Sequence, residues 1–183
     1  MSYTVTCYQV DIDELKKLCP SKDRNVLKTI LRKQSAHIED SNDYFADDIE
    51  EGAPPLETAL THLIMGEEMN SEFGFMYGYA LEALCIHLGQ RLEMDAFESM
   101  TGGWFWELPD RIQSLVLSGS PIKLPDIDDF PNIGHKTLAQ ITDELNNQDE
   151  YEPGTDEGDA FKCYYDTLAF CQNLKTGFVA FYY

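Results

Sequence analysis

Gly177-Phe-Val-Ala-Phe-Tyr-Tyr183 closes the chain and decides its fold class. Phe178, Ala180 and Tyr182 alternate with Val179, Phe181 and Tyr183, so the run is apolar on both faces, the pattern of a strand covered on each side. Such a strand needs neighbours for its backbone N–H and C=O groups. The natural neighbour is the N-terminal segment Ser2–Val10, where Tyr3, Val5 and Cys7 occupy one face and Thr4, Thr6, Tyr8 and Val10 the other. The segments between them read mostly as helices. The sequence therefore predicts an α+β protein, one helix-rich domain over residues 1–183 with a small sheet that includes both terminal strands.

The helices are read from spacing and punctuation. Asp11 and Glu14 have the spacing of a capping box ahead of Leu15 and Leu18, and Pro20 stops that helix. A second start at Ser21 opens a basic helix with Val26, Leu27, Ile30 and Leu31 as its apolar stripe and Lys22, Arg24, Lys28, Arg32 and Lys33 in water. Residues 39–54 are polar, acidic and closed by glycine and proline, the composition of a mobile loop. Leu56–Met65 follows Pro54-Pro55 as a helix ended by Gly66. The strongest helix is expected from Met76 to Leu92, with Tyr77, Leu81, Leu84, Cys85, Leu88 and Leu92 on its stripe. Ile86 lies off that stripe, which places the helix at the centre of the core, covered on more than one side. Trp104-Phe-Trp106 reads as a short strand or tight segment, Pro109–Leu117 as a helix, and 118–134, with three prolines and two glycines, as an ordered irregular connection. Helices are expected again over Thr137–Asn146 and Ala160–Leu174, with a second acidic loop at about 147–159 between them.

Charge is the strongest functional signal. Residues 1–37 hold 7 of the 13 Lys/Arg, and the remaining 146 residues set 6 Lys/Arg against 29 Asp/Glu, a net −23. A field of this sign repels nucleic acid and anionic membrane and attracts basic partners with rates that fall as salt rises; the plainer reading is that it keeps the protein soluble. The acids cluster at 39–51 and 143–159, which makes Asp43, Asp47, Asp48, Glu50, Glu51, Glu150, Glu152, Asp156 and Glu157 candidate partner-binding residues. Trp104 and Trp106 join them as side chains suited to anchoring an interface, against the alternative that aromatics in a strand are core.

No pattern calls for a catalytic residue, cofactor or metal. Cys85 and His87, two apart on a helix, point about 200° away from each other and cannot chelate one ion together with His62. Asp126, Asp128 and Asp129, like Asp156, Glu157 and Asp159, lack the glycine and terminal glutamate of a calcium loop. Gly102-Gly103 has no phosphate-loop continuation, and Ser118-Gly-Ser-Pro121 is not a nucleophile elbow. Five scattered cysteines fit reduced, buried thiols, and the absence of a signal-like start or of a run of about 20 apolar residues predicts a cytoplasmic protein without a membrane span.

Val10-Asp-Ile-Asp-Glu-Leu15, Ser21-Lys-Asp-Arg24, Gly78-Tyr-Ala-Leu-Glu-Ala-Leu-Cys-Ile-His-Leu-Gly89 and Phe181-Tyr-Tyr183 together resemble a family of small uncharacterised bacterial proteins distantly related to the YfbM-like proteins. That resemblance implies a bacterial cytosolic α+β domain and carries over no catalytic residue. The expected function is stoichiometric binding of a basic protein, as by an inhibitor or an immunity protein that neutralises a cationic toxin, a step taken by analogy. The alternatives are a small-molecule enzyme with a pocket near the central helix and a nucleic-acid mimic.

Overall fold

Gly177–Tyr182 does form a strand, buried at every residue, and it pairs with the N-terminal segment as expected. The computed structural model describes residues 2–101, 103–128 and 130–183. In chain order the elements are β1 (Ser2–Tyr3), β2 (Val5–Val10), α1 (Ile12–Leu18), α2 (Arg24–Lys33), α3 (Ser35–Tyr44), α4 (Ala46–Glu50), α5 (Leu56–Met65), α6 (Gly74–Leu88), β3 (Gln90–Leu92), β4 (Met100–Thr101), α7 (Trp104–Glu107), α8 (Asp110–Leu117), β5 (Asn132–Lys136), α9 (Leu138–Asn146), α10 (Asp156–Leu174) and β6 (Gly177–Tyr182). Single 3-10 turns lie at Ser71–Phe73 and Asp95–Phe97. This is a helix-rich α+β chain, arranged as two compact units. Residues 1–12, 89–121 and 132–183 make a unit that carries the strands, and residues 13–88 and 122–131 make a helical one.

In the sheet unit the strand order is β3-β2-β6-β5, every pair antiparallel. Cys7 lies opposite Ala180, and Ala180 opposite Gly134, so β6 is an interior strand with a full set of partners on each side. β1 pairs with β4 as a separate two-stranded ribbon, and Tyr3 stacks on Tyr182 at 5.5 Å between ring centroids. The strand β5 begins inside the stretch expected to be irregular, at its last three residues, and runs two residues beyond it. Its own residues, Asn132-Ile-Gly-His-Lys136, are not a strand-forming pattern; β6 supplies the partner that makes them one. Gly134 is required there because a Cβ would collide with the carbonyl oxygen of Leu115 at the end of α8. The same junction is tied by Ser118 Oγ, which donates to the His135 carbonyl at 2.9 Å and accepts from its N–H at 2.8 Å.

α9 begins at a capping box in which Thr137 and Gln140 satisfy each other's backbone N–H. α10 begins at Asp156, ahead of the expected Ala160, because Thr155 Oγ1 accepts from the Gly158 N–H at 3.0 Å. Asp156, Glu157 and Asp159 therefore sit in a helical first turn, where carboxylates complement the helix dipole, rather than in the loop expected at 147–159. Of the two readings of Trp104-Phe-Trp106, the strand is corrected: the segment is a single tight helical turn, α7. Phe105 points inward to Phe97 and Tyr182, with ring centroids 6.0 and 5.3 Å away.

In the helical unit, α2 is capped by Asp23, whose carboxylate accepts from the N–H groups of Asn25 and Val26 at 2.8 and 3.2 Å; the cap lies two residues beyond Ser21. α5 has the expected bounds, with Pro55 before it and Gly66 left-handed after it. The segment 39–54, expected as a mobile loop, is helical through α3 and α4. Its apolar residues are few, but Ile38, Phe45 and Ile49 recur at helical spacing, and Phe45 and Ala53 pack with Met76 against Phe73, Phe75 and Tyr79. α6 stops at Leu88, so Leu92 belongs to β3 and not to the helical stripe. Within α6, Met76, Tyr77, Ala80, Leu81, Ala83, Leu84 and Cys85 are all buried, a distribution that runs round the helix as Ile86 suggested. Replacing Leu84 by Ala is expected to cost about 3 kcal/mol, the removed contacts plus a cavity, and replacing the half-buried Ile86 by Ala clearly less. Urea denaturation of the two variants checks this, and a larger loss at Ile86 would reverse the assignment of the buried face.

Candidate functional site

Two helices rather than a loop carry the first acidic cluster. The inward residues Ile38, Phe45 and Ala53 fix the roll of α3 and α4, which leaves Glu39, Asp40, Asp43, Asp47, Glu50 and Glu51 exposed and Asp48 half-buried. Tyr44 stands among them with 79 % of its surface in solvent. Asn42 braces the ridge: its side-chain oxygen accepts from the Leu56 N–H and its amide donates to Glu57, each at 2.8 Å, so α3 is tied to the start of α5. The ion pairs among the described residues are Arg111–Asp149, Lys136–Glu144 and Lys162–Asp166. None neutralises the ridge.

The second cluster lies in the sheet unit. Glu150 and Glu152 are exposed on the 147–155 connection, and Asp156 and Glu157 are exposed on the first turn of α10. The connection is anchored. Arg111 donates to the Asn147 carbonyl and to the Tyr165 hydroxyl, its Nε lies 3.1 Å from Asp149, and Tyr165 in turn accepts from the Asp149 N–H at 2.8 Å. Tyr151 stacks on Phe161 at 5.7 Å. Trp104 and Trp106 are engaged internally, the first beside Phe97 and the second edge-on to Tyr182 at 5.1 Å, and Trp106 keeps 39 % of its surface exposed. The sequence candidates thus divide between the units: Asp43, Asp47, Asp48, Glu50 and Glu51 in the helical one, Glu150, Glu152, Asp156, Glu157 and the two tryptophans in the other.

A cleft of about 770 Å³ opens in the sheet unit between β3 and α10. Arg91, Glu93 and Asp95 line one wall, Asp159, Lys162 and Asp166 the other, and Cys163, Thr167 and Phe170 complete it. Sequence reading missed it because it depends on β3, three residues that continue the spacing of α6. Near the end of α6 there is also an open groove of about 320 Å³ lined by Leu18, Val26, Ile30 and Leu88, with Glu14, Lys17 and His87 around it.

The perturbed groups do not assemble a reaction centre. Burial pushes the Cys19 and Cys171 thiols up to about 12, Cys85 well above its ordinary value and Cys163 upward, all away from the nucleophilic thiolate. Tyr164 is driven far up by burial and by the Glu144 carboxylate to which it donates. Among the described residues no three His, Cys, Asp or Glu side chains converge on a metal position, and no helix is long and apolar enough to cross a membrane. Asp129 of the first aspartate triplet and Gly102 of the glycine pair lie outside the described residues.

The chain belongs to the family described as a domain of unknown function, DUF7691, whose model matches residues 1–183. No curated protein and no solved structure matches it.

Proposed function

We propose that this chain is an acidic cytoplasmic protein of bacterial origin, with distant kinship to the YfbM-like proteins, that binds a basic protein stoichiometrically, in the manner of an inhibitor or immunity protein against a cationic toxin. The observation that supports this best is the α3–α4 ridge, where exposed carboxylates with no ion-pair partner among the described residues accompany an exposed tyrosine. Held on packed helices, these groups need little ordering when a partner arrives, so less of the interaction is lost to conformational entropy. Unneutralised charge of one sign accelerates encounter with an opposite surface, and tyrosine is a frequent anchor at interface centres. The enzyme reading has less support: burial shifts the Cys85 and Cys171 thiols and, in part, those of Cys19 and Cys163 away from the reactive thiolate, and the groove beside α6 is lined chiefly by aliphatic side chains. The same negative field disfavours direct nucleic-acid binding.

Charge reversal tests the ridge. Asp47 and Asp48 occupy the first turn of α4 and suit its dipole, so the informative set is Asp43→Lys, Glu50→Lys and Glu51→Lys, near the C-terminal ends of α3 and α4 where a cation is favourable. The triple variant is expected to keep the melting temperature within a few degrees, to slow association with a partner captured from the native host on the order of tenfold at low salt, and to flatten the salt dependence of that rate. A neutral or acidic partner, or association that is unchanged in the variant, would reduce the charge to a solubility device.

A further inference from the structure

We propose that the cleft between β3 and α10 receives an extended basic segment of the partner protein, which adds a strand to the β3 edge and sets a Lys or Arg side chain among Glu93, Asp95 and Asp159. Three observations in the sheet unit meet there. First, β3 is the outermost strand of the order β3-β2-β6-β5, and among the described residues no backbone hydrogen bond reaches Gln90–Glu93 except through β2. Alternate residues of an edge strand present N–H and C=O groups outward, which is the template that strand addition uses. Second, the space beside that edge is a cleft of about 770 Å³ rather than a flat face, within the range of roughly 300–1,000 Å³ typical of ligand sites. Its far wall is one face of α10, where Thr167 is fixed by its Oγ1, which donates to the Cys163 carbonyl at 2.9 Å. Phe170, 41 % exposed, offers an apolar surface on the same helix.

The third observation is the charge of the walls. Lys162 is held by Asp166 at 2.6 Å, which leaves Arg91 as the remaining cation among the described residues of the lining, against Glu93, Asp95 and Asp159. That lining favours a basic side chain, which meets Glu93 and Asp95 on the wall that also supplies main-chain hydrogen bonds and Asp159 on the wall across from it. Alternation along an extended segment directs one side chain to the carboxylates and the next toward Phe170. This inference names the form of the basic partner and rests on that reading of the protein, but it concerns a site in the sheet unit and does not involve the α3–α4 ridge.

The test uses the full chain and a fluorescent, acetylated and amidated hexapeptide of alternating Lys and Val, followed by anisotropy. Saturable binding that weakens with salt is expected, with slowed amide exchange at Gln90–Glu93 in the bound state. Combining Glu93→Lys with Asp159→Asn, both at exposed positions, is expected to weaken binding roughly tenfold, while the Asp43→Lys, Glu50→Lys, Glu51→Lys variant binds within about twofold of the parent. If the first pair melts early, Glu93→Gln alone provides the comparison. A peptide methylated at alternate backbone nitrogens is expected to bind roughly tenfold more weakly, since it cannot complete the ladder. Equal binding of the methylated peptide overturns strand addition, and no binding by the parent chain overturns the site. If the ridge variant loses as much affinity as the cleft variant, the peptide is held by diffuse charge, so the cleft assignment fails while the reading of a basic partner stands.

Discussion

A chain that ends at Gly177 is expected not to fold its sheet unit. The six residues removed, Phe178–Tyr183, contain almost all of β6, and Phe178–Phe181 are wholly buried with Tyr182 nearly so. Their loss acts twice. It takes a set of large apolar side chains from the core, each of which stabilises by about 1.5–3 kcal/mol, and it deprives β2 and β5 of a common partner, leaving backbone groups of both without the ladder that satisfied them. Tyr182 also supports the aromatic group formed by Tyr3, Phe105 and Trp106, so the damage extends to β1 and α7. Against a total stability of about 5–15 kcal/mol, no compensation is available. Near-UV circular dichroism and thermal melting decide the matter: loss of the aromatic signal and of a cooperative transition is expected, and a truncated chain with the parent's melting temperature would show that β6 is dispensable.

What could be read from the sequence is what an element specifies by itself. The terminal strands were legible because β6 is apolar on both faces and β2 is rich in β-formers, and α5 because Pro55 and Gly66 punctuate it. β3 and β5 carry no such pattern. Gln90-Arg-Leu92 becomes a strand only through β2, and Asn132–Lys136 only through β6, so both are products of tertiary pairing rather than local preference. The helices α3 and α4 were hidden for the opposite reason: seven acids dominate the composition, while the information lies in the sparse spacing of Ile38, Phe45 and Ile49. The candidate surfaces follow the same division. The acidic residues were visible as charge, but whether they sit on a rigid helix or a loop was not, and the cleft could not be seen because one of its walls is β3.

Lys136→Met is expected to destabilise the protein by about 3–5 kcal/mol although it enlarges no cavity. Lys136 ends β5 only 5 % exposed, its ammonium lies 2.5 Å from Glu144 of α9 and 2.9 Å from the Ser114 hydroxyl of α8, and Tyr164 of α10 donates to the other oxygen of Glu144. One buried cation therefore joins a strand to two helices directly and to a third through Glu144. Methionine keeps most of the volume and removes the charge, which leaves the Glu144 carboxylate largely desolvated without its cation; breaking one side of a buried pair is costly for that reason. Removing the pair together is a different experiment. Lys136→Met with Glu144→Leu eliminates both charges but takes from the Tyr164 hydroxyl the carboxylate that accepts from it and leaves it with Ser114, a loss of about 1–3 kcal/mol, so the neutral comparison adds Tyr164→Phe. The order of stability in urea should then be parent and triple variant highest, the double variant lower, and Lys136→Met alone lowest. If the single variant loses less than about 1 kcal/mol, Glu144 is solvated well enough to do without Lys136, and the network is a surface feature rather than the polar centre that fixes α8, α9 and α10 against β5.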